Sequence, residues 1–459
     1  MADSSCFSVK VIDKCLVSPP PGSVPATLLP LTFFDLICLR YAPTRRLFFY
    51  EFPHSTAHFT HAILPSLKRS LSLSLQHFFP FAANLILPPH PHKPHFLYTP
   101  HDSVQLAIAE SDPSHFHALI PDHPKDARDV YPLFQDWPMS CLLSDGTQVI
   151  PLMALQITIF PYHALSLCVS FLHVAADGPA LHHFIRSWAS ISAGNGLNGP
   201  LPSHDRTVVQ DPEGLESAYL RHHSEPINFD SEPISQRLSD KVRATFSLSK
   251  PQIERLKNWA NSQITKSTQF SSFVVTSSVV WVSFIMSREL ISGGSGAEDE
   301  ACCFAFAANC RNERLGYRIP VEYFGNCFAF CLTAVEKSEL LGENGLVVAM
   351  KAIEKRVGEV NKETLKDVMA EMSAWKEFVE RGAALCAAGS PRLGAYDANF
   401  GWGRPIKTEV VQVDRGRLFS IGESRNENGG IEVGLGLGSA HMASFVAVWE
   451  QNLKLLGCS

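Results

Sequence analysis

The chain has 459 residues, of which 45% are hydrophobic and 18% are charged, and its formal net charge is −6. This length predicts two or three domains with sizeable apolar cores, and the charge balance argues against nucleic acid as a partner, because phosphate binding needs a positive field. The twelve cysteines include no CxxC pair and no disulfide-framework spacing, so we expect no zinc site and a reducing, cytoplasmic location.

The first half of the chain predicts a mixture of strands and helices. Apolar residues recur at helical spacing between positions 61 and 79, with one proline in the first turn and another just past the end. Residues 152–160 and 165–172 predict two apolar strands joined by a short turn. Gly178 and Pro179 follow closely and mark the start of a helix with an apolar face.

The sequence offers little reason to expect a membrane. Its first residues lack a basic stretch followed by an apolar run, so we expect no signal peptide. Residues 270–286 come closest to a membrane span. Because this segment carries many serines and threonines, we interpret it as a helix of the protein core.

The middle of the chain predicts a division into two halves. From about residue 193 to 232 the sequence becomes rich in Gly, Pro, Ser, His and charged residues, with few apolar clusters. We therefore predict an N-terminal domain over residues 1–200, a crossover linker over 201–240 and a C-terminal domain over 241–459. Regular elements resume in the second half, with strands predicted at 244–248, 302–307 and 431–437 and helices at 250–263, 270–287, 346–360, 362–381 and 441–455.

The chemistry centres on His173, which ends the second strand of the hairpin and is followed by Asp177 and Gly178. A neutral imidazole at this point can remove a proton from an alcohol or amine that attacks a thioester carbonyl. The other interpretation is a core histidine whose hydrogen bonds are satisfied. Asp177 either orients His173, as in a catalytic triad, or pairs with an arginine away from the site, and the short loop favours the second role.

Several other chemistries lack their motifs. No GxSxG sequence supplies the nucleophile of a serine hydrolase, and no GxxxxGK[ST] sequence supplies a phosphate-binding loop. The one GxGxxG match, at residues 194–199, follows a predicted helix instead of a strand, so a dinucleotide site is not supported.

The order of several motifs resembles that of the plant BAHD acyltransferases, across essentially the whole chain. The family's HxxxDG motif matches residues 173–178. Its DFGWG motif matches, with one substitution, Asn399, Phe400, Gly401, Trp402 and Gly403. Residues 31–35 (LTFFD) also match, while 323–327 (YFGNC), 389–392 (GSPR) and the glycine-rich stretch 422–436 resemble the subgroup that acylates anthocyanins and other phenolic glycosides.

This resemblance implies a mixed α/β fold of two similar domains, each a mixed sheet with helices like chloramphenicol acetyltransferase, with a channel between them. Acyl-CoA and the acceptor are expected to enter from opposite faces and to meet at His173 in a ternary complex, without an acyl-enzyme, a metal or a tightly bound cofactor. The resemblance also suggests a monomer. Ser390 is the candidate donor to the oxyanion, and Arg404 and Lys407 are candidates for binding CoA phosphates, although each has a plainer interpretation as a turn residue or a surface charge.

Two departures from the family pattern bear on structure. The resemblance implies that Asp177 pairs with an arginine, for which Arg311 is our choice and Arg314 the alternative. The stretch that holds them, residues 309–314, has one residue more than the family pattern. Asn399 stands where the family usually has an aspartate that pairs with an arginine. We expect Asn399 to keep hydrogen bonding with less rigidity, and Asp397, on the same face of a strand, to replace part of the charge.

The donor and the acceptor are less closely defined. Many relatives carry a cation in the first turn after HxxxDG, but this chain has Pro179 there, so a malonyl carboxylate needs another cation such as His182, His183 or Arg186. This favours a hydroxycinnamoyl donor over malonyl-CoA. The leading hypothesis is acylation of a hydroxyl on a phenolic or flavonoid glycoside. Acyl transfer to an amine or an aliphatic alcohol, and a silent binder of CoA or another ligand, are the alternatives.

Overall fold

The computed structural model describes residues 7–138, 140–221, 227, 239–264, 269–293, 300–360, 363–365 and 367–455. Within these residues the strands form three sheets, of six, seven and five strands. Helices cover the sheets, and the buried side chains form one large core and one smaller core.

The six-stranded sheet lies in the first half of the molecule, and we call it the N-terminal sheet. Its centre is the predicted hairpin, in which Met153–Phe160 and Ala164–Phe171 pair antiparallel and are buried along their whole length. Burial on both faces explains why both sequences are largely apolar, with Gln156, Thr158, Ser166 and Ser170 as the polar exceptions. In spatial order its strands are Val9–Val17, Val104–Ser111, Met153–Phe160, Ala164–Phe171, Thr44–Glu51 and Lys407–Val410.

The seven-stranded sheet, which we call the C-terminal sheet, is mixed in direction. Ala301–Asn309 pairs antiparallel with Phe328–Glu336 on one side and parallel with Ala384–Ala388 on the other. In spatial order its strands are Phe328–Glu336, Ala301–Asn309, Ala384–Ala388, Leu418–Glu423, Ile431–Gly438, Lys241–Leu248 and Lys125–Asp126. The small sheet runs Thr27–Pro30, His95–Tyr98, Asn84–Leu87, Gln148–Pro151 and Cys141–Leu142.

The longer helices fall close to where apolar periodicity predicts them, although the helix predicted at 362–381 begins only at Val368 and the short helices were not predicted. Leu64–Leu75 begins with a proline in its first turn and packs against Gly178–Ser192, which does the same. The α-helices of the described residues are Phe33–Leu36, Thr56–His58, Leu64–Leu75, Pro113–Leu119, Gly178–Ser192, Leu215–Leu220, Lys250–Ser262, Ser272–Ser292, Lys337–Leu341, Gly345–Gly358, Val368–Glu380 and Ser439–Leu455. A π-helix at Phe59–Ile63 and several short 3-10 turns complete the described elements.

The apolar helix Ser272–Ser292 is long and hydrophobic enough to cross a membrane by composition alone. In the structure it packs against Gly345–Gly358 and Ser439–Leu455, and 72% of its most apolar window is buried inside the protein. This burial agrees with the prediction of a core helix.

The two halves exchange strands, which the predicted domain boundaries did not include. Lys407–Val410 belongs to the predicted C-terminal domain but pairs with Thr44–Glu51 in the N-terminal sheet. Lys125–Asp126 belongs to the predicted N-terminal domain but pairs with Lys241–Leu248 in the C-terminal sheet. The halves are therefore interlocked through backbone hydrogen bonds. Of the predicted linker 201–240, residues 222–226 and 228–238 lie outside the described residues.

Candidate active site

A large cavity lies between the two halves, with a volume of about 1440 Å³. Its lining from the first half includes Tyr41, Arg46 and His173. Its lining from the second half includes Phe328 and Ser390, together with further aromatic and arginine side chains. A cavity of this size accommodates a small organic molecule with room to spare, so we interpret it as the reaction chamber.

His173 reaches this cavity because the chain turns sharply there. The strand Ala164–Phe171 ends two residues earlier, and His173–Ala175 forms a single 3-10 turn before the next helix begins. The imidazole is half-buried, edge-on to Tyr41 and Phe328 at centroid distances of 6.2 and 5.9 Å. Burial lowers its pKa below the ordinary 6.5, so the ring is neutral at pH 7 and can accept a proton.

Asn326 determines which ring nitrogen of His173 carries the proton. The Asn326 amide nitrogen donates to the carbonyl oxygens of His173 and Val174, at 2.8 and 3.0 Å, so the amide oxygen must point the other way. That oxygen lies 3.2 Å from His173 Nδ1. Because an amide oxygen only accepts, Nδ1 carries the proton and Nε2 keeps its lone pair for the reaction.

Asp35 holds Asn326 in place from the N-terminal part of the chain. Its Oδ1 accepts from both the backbone and the side-chain nitrogen of Asn326, each at 3.1 Å. Its Oδ2 accepts from the backbone and hydroxyl of Thr32, each at 2.9 Å, and lies 3.5 Å from Arg206. Asp35 and Asn326 are both fully buried, so this network is closed to solvent and fixes the orientation of the amide.

Asp177 points away from His173 and forms a buried ion pair with Arg311, as predicted. The pair is bidentate, with nitrogen–oxygen distances of 2.7 and 3.1 Å. The carboxylate also accepts from the backbone nitrogens of Ala180 and Cys327. Asp177 therefore caps the helix after His173 and links the two halves, because Arg311 and Cys327 belong to the second.

Ser390 lies in the wall of the cavity, at the turn that follows the strand Ala384–Ala388. Its hydroxyl oxygen accepts from the backbone nitrogen of Arg392 at 3.3 Å, as the turn interpretation predicts. Gly389 has φ +96°, and a Cβ atom there would lie 2.7 Å from the carbonyl oxygen of Ile421. Only glycine fits this close approach, and it places Ser390 at the cavity.

The NFGWG motif is a packing element at a distance from the reaction chamber, since residues 399–403 lie outside the cavity lining. Phe400 packs edge-on against Trp188, and Trp402 packs edge-on against Tyr50. Asn399 Oδ1 accepts from the backbone nitrogens of Gly401 and Gly403, at 2.9 and 3.1 Å. An asparagine thus makes the two bonds that an aspartate would make, and the motif ties a strand to a helix.

The expectation for Asp397 was wrong in its geometry. Residues Ala395–Asp397 form a 3-10 turn instead of a strand, so strand alternation does not apply. Asp397 nevertheless meets a cation, at 3.5 Å from Arg404, in a pair whose side chains are 60% and 66% exposed. Such an exposed pair contributes little to stability.

Neither CoA-phosphate candidate lies where the sequence suggested. Lys407 is completely buried and donates to the carbonyl oxygens of Ile120 and Pro121, close to Glu409 at 3.1 Å. It is thus neither a phosphate ligand nor a surface charge. Arg404 is exposed, but it lies outside the cavity lining and donates from Nε to the Tyr396 carbonyl. Strand pairing of Lys407–Val410 with the N-terminal sheet explains the burial of Lys407.

Sequence reasoning assigned no role to three residues of this region. Asp35 is the last residue of the matched LTFFD segment, and Asn326 is the fourth residue of the YFGNC segment. The family resemblance singled out both segments but did not indicate what these two side chains do. Arg46 is the second of two adjacent cations that precede the run Leu-Phe-Phe-Tyr in the strand Thr44–Glu51, and a cation next to that buried run could have identified it. No group of His, Cys, Asp or Glu suited to a metal occurs among the residues that the structure describes.

The fold and the site define a two-lobed enzyme that holds a neutral histidine in a large chamber between its halves. The sequence model of the Transferase family matches residues 7–452. The chain belongs to this family, and its resemblance to the plant BAHD acyltransferases is confirmed.

Individual relatives cover nearly the whole chain. It is 36% identical to coumaroyl-CoA:anthocyanidin 3-O-glucoside-6''-O-coumaroyltransferase 1 of Arabidopsis thaliana, over 97% of both chains. It is 33% identical to malonyl-coenzyme A:anthocyanin 3-O-glucoside-6''-O-malonyltransferase of Dahlia pinnata, over 97% of this chain and 98% of the other. Among solved structures, vinorine synthase matches with a TM-score of 0.71 and 18% identity, over 95% of this chain and 96% of that one, which confirms the two-domain fold.

Proposed function

We propose that this protein transfers an acyl group from acyl-CoA to a hydroxyl of a phenolic or flavonoid glycoside, such as an anthocyanin glucoside. The observation that carries the proposal is the neutral imidazole of His173, fixed by Asn326 with Nε2 unprotonated, in a chamber of about 1440 Å³. The relatives described above act, by their names, on anthocyanidin and anthocyanin glucosides.

The reaction requires one base and no covalent intermediate. The acceptor hydroxyl gives its proton to His173 Nε2 while its oxygen attacks the thioester carbonyl carbon. The tetrahedral intermediate carries its negative charge on the former carbonyl oxygen, and the Ser390 hydroxyl is the proposed donor to it. The carbon–sulfur bond then breaks, the imidazolium returns its proton to the CoA thiolate, and an ester and free CoA remain.

The cavity lining supports two kinds of contact in addition to catalysis. Phe328, Phe330 and Trp375 form an aromatic wall, with the last two rings 5.8 Å apart and edge-on. Aromatic side chains of this kind bind planar phenolic rings. Arg186 and Arg392 also line the cavity and replace Arg404 and Lys407 as candidates for meeting CoA phosphates.

The test measures CoA release from malonyl-, acetyl-, coumaroyl- and caffeoyl-CoA with pooled phenolic glucosides. We expect turnover that His173→Ala lowers by about 10²–10⁴-fold. His163→Ala, at an exposed turn, is the matched control and should leave turnover unchanged. Folded protein that binds CoA but turns over no donor with these acceptors would overturn glycoside acylation, and amines and aliphatic alcohols would be tried next.

We also propose that the protein acts as a monomer in a reducing compartment such as the cytoplasm. In support, the ten cysteines that the structure describes are all free thiols. Burial raises the pKa of several of them, including Cys310 to about 12, so they are weak nucleophiles. Light scattering after size-exclusion chromatography tests the monomer, since a mass of about twice 50.6 kDa would contradict it.

A further inference from the structure

Arg46 is a cation in the reaction chamber to which the mechanism above gives no role. It lies on the strand Thr44–Glu51, opposite Val169 of one neighbouring strand and Val410 of the other. Val169 is four residues before His173, so Arg46 stands on the strand beside the one that delivers the base. It lines both the large cavity and a narrower pocket of about 60 Å³ that also includes His182 and Ser390.

Arg46 has no partner of its own among the described residues. Its Nε is buried without a hydrogen-bond partner, and no described carboxylate forms an ion pair with it. Burial lowers its pKa to about 10, which leaves the guanidinium charged at pH 7. By contrast, the buried Arg243 and Arg311 are each paired with carboxylates. A half-buried cation that lacks a counter-ion is costly, and it is compensated when an anionic ligand binds.

The three carboxylates that line the narrower pocket form no ion pair with Arg46. Glu409 and Glu432 pair with Arg243 and Arg425, respectively, and Glu423 accepts from the backbone nitrogen of Tyr396.

Burial, assisted by Arg46, lowers the pKa of His182 to about 3, so that imidazole is neutral. Its Nδ1 donates to the carbonyl of Gly178 at 2.9 Å. Arg46 also contributes to lowering the pKa of His173, although burial is the larger cause, which places the guanidinium within electrostatic reach of the base. Arg186, another cation, acts on His182 in the same direction.

The position of Arg46 limits which anion it can meet. With a thioester carbonyl at His173, the phosphates of CoA are a whole pantetheine arm away, and the sugar hydroxyl of the acceptor is neutral. The oxyanion of the tetrahedral intermediate is transient and has Ser390 as its proposed donor. A lasting negative charge close to the reacting carbonyl therefore belongs to the acyl group. We infer that Arg46 binds the free carboxylate of a dicarboxylic acyl group such as malonyl.

This inference rests on the proposed function and specifies its donor. It also changes the expectation from the sequence, where the missing cation after HxxxDG favoured a hydroxycinnamoyl donor. In the structure, the cation comes from the strand Thr44–Glu51 instead of from the first turn of the helix after HxxxDG. A guanidinium presents paired N–H donors that match both oxygens of a carboxylate, so it also holds the malonyl group in one orientation. A coumaroyl group makes no such contact.

The experiment compares kcat/KM for malonyl-, acetyl- and coumaroyl-CoA, with an acceptor glucoside that carries no carboxylate. Acetyl-CoA matches malonyl-CoA except for the carboxylate. We expect the native protein to prefer malonyl-CoA, and Arg46→Gln to reduce that preference over acetyl-CoA by about 100-fold, with Arg46→Lys in between. Arg45→Gln is the matched control, because Arg45 stacks 4.2 Å over Phe134, away from the chamber, and should keep the preference.

Two results would overturn the inference. One is a native protein that uses coumaroyl-CoA but turns over malonyl-CoA no better than acetyl-CoA. The other is an Arg46→Gln variant that loses all three donors equally, which indicates a structural role or a contact with the oxyanion that all three donors share. If no donor is turned over, the proposed function is wrong, but the inference about Arg46 can still be tested. Calorimetry then compares the binding of malonyl-CoA and acetyl-CoA to the native protein and to Arg46→Gln. A preference lost in Arg46→Gln supports it, and equal binding contradicts it.

Discussion

The amide oxygen of Asn326 lies 3.2 Å from Nδ1 of His173, although 153 residues separate them in the chain. This contact has the same role as the carboxylate in a Ser-His-Asp triad, because it determines the tautomer and the orientation of the imidazole ring. It differs in charge, because a neutral amide does not stabilise the imidazolium as strongly as a carboxylate. Burial can therefore keep the pKa of His173 low, and the base remains available below pH 7.

Replacing Asn326 should change the pH dependence of the reaction. Because burial holds the His173 pKa below 6.5, native kcat/KM should be level at pH 7 and fall only in more acidic solution. Asn326→Asp is made together with Asp35→Asn, so that the second carboxylate oxygen meets an amide donor instead of the Asp35 carboxylate. The carboxylate beside Nδ1 favours the imidazolium and raises the pKa, so the acidic limb should move to higher pH. Asn326→Ala should lower kcat by about tenfold or more without that movement. An unmoved limb in the double variant would contradict the assignment.

Breaking the ion pair between Asp177 and Arg311 should destabilise the whole fold. Both side chains are at most 5% exposed, so Arg311→Ala leaves a carboxylate buried without its partner. We expect a loss of about 3–5 kcal/mol in the free energy of unfolding, measured by urea denaturation. Arg314→Ala, at an exposed position nearby, should cost less than about 0.5 kcal/mol. Equal effects of the two variants would argue against the pair.

Lys407→Met separates a structural role from CoA binding. Lys407 is fully buried among carbonyl oxygens and Glu409, so its removal should cost about 3 kcal/mol of stability. The KM for acyl-CoA, measured at a temperature where the variant stays folded, should remain unchanged. A large rise in KM with stability intact would restore Lys407 as a phosphate ligand.

Asn399→Asp tests whether the departure from the family motif matters. Either side chain can accept from the backbone nitrogens of Gly401 and Gly403, so stability should change by less than about 0.5 kcal/mol. Asn399→Ala loses both bonds at an exposed turn and should cost about 1 kcal/mol. Turnover should be similar in all three proteins, and a marked gain of activity in Asn399→Asp would show that the motif reaches the chamber.

His182 should make the protein sensitive to acid. Its pKa is about 3 in the folded state because of burial, and about 6.5 in an unfolded chain. The unfolded state therefore binds more protons between these values, and stability is present above pH 6.5 and falls as the pH decreases towards 3. His182→Asn keeps a donor for the Gly178 carbonyl but cannot titrate. Urea midpoints between pH 4.5 and 7 should decline less steeply in this variant, whereas parallel declines would exclude His182 as a source.

Much of the architecture was determined by the sequence itself. The largely apolar runs on either side of residues 161–163 predicted the central hairpin, and Gly178 with Pro179 predicted the helix after it. These signals are local, because burial and capping impose residue types at fixed short spacings. The motif order indicated His173, and it indicated Arg311 as the partner of Asp177, through resemblance to a family.

Only the tertiary structure decided which distant residues share the chamber and which are buried. Asp35 meets Asn326 across 291 positions, and the exchanged strand Lys407–Val410 removes Lys407 from solvent. Arg46 belongs to the chamber because the strand Ala164–Phe171 lies beside its own. No periodicity in the chain records such pairings, since they arise from the docking of two interlocked halves, and the charge environment of His173 follows from that docking.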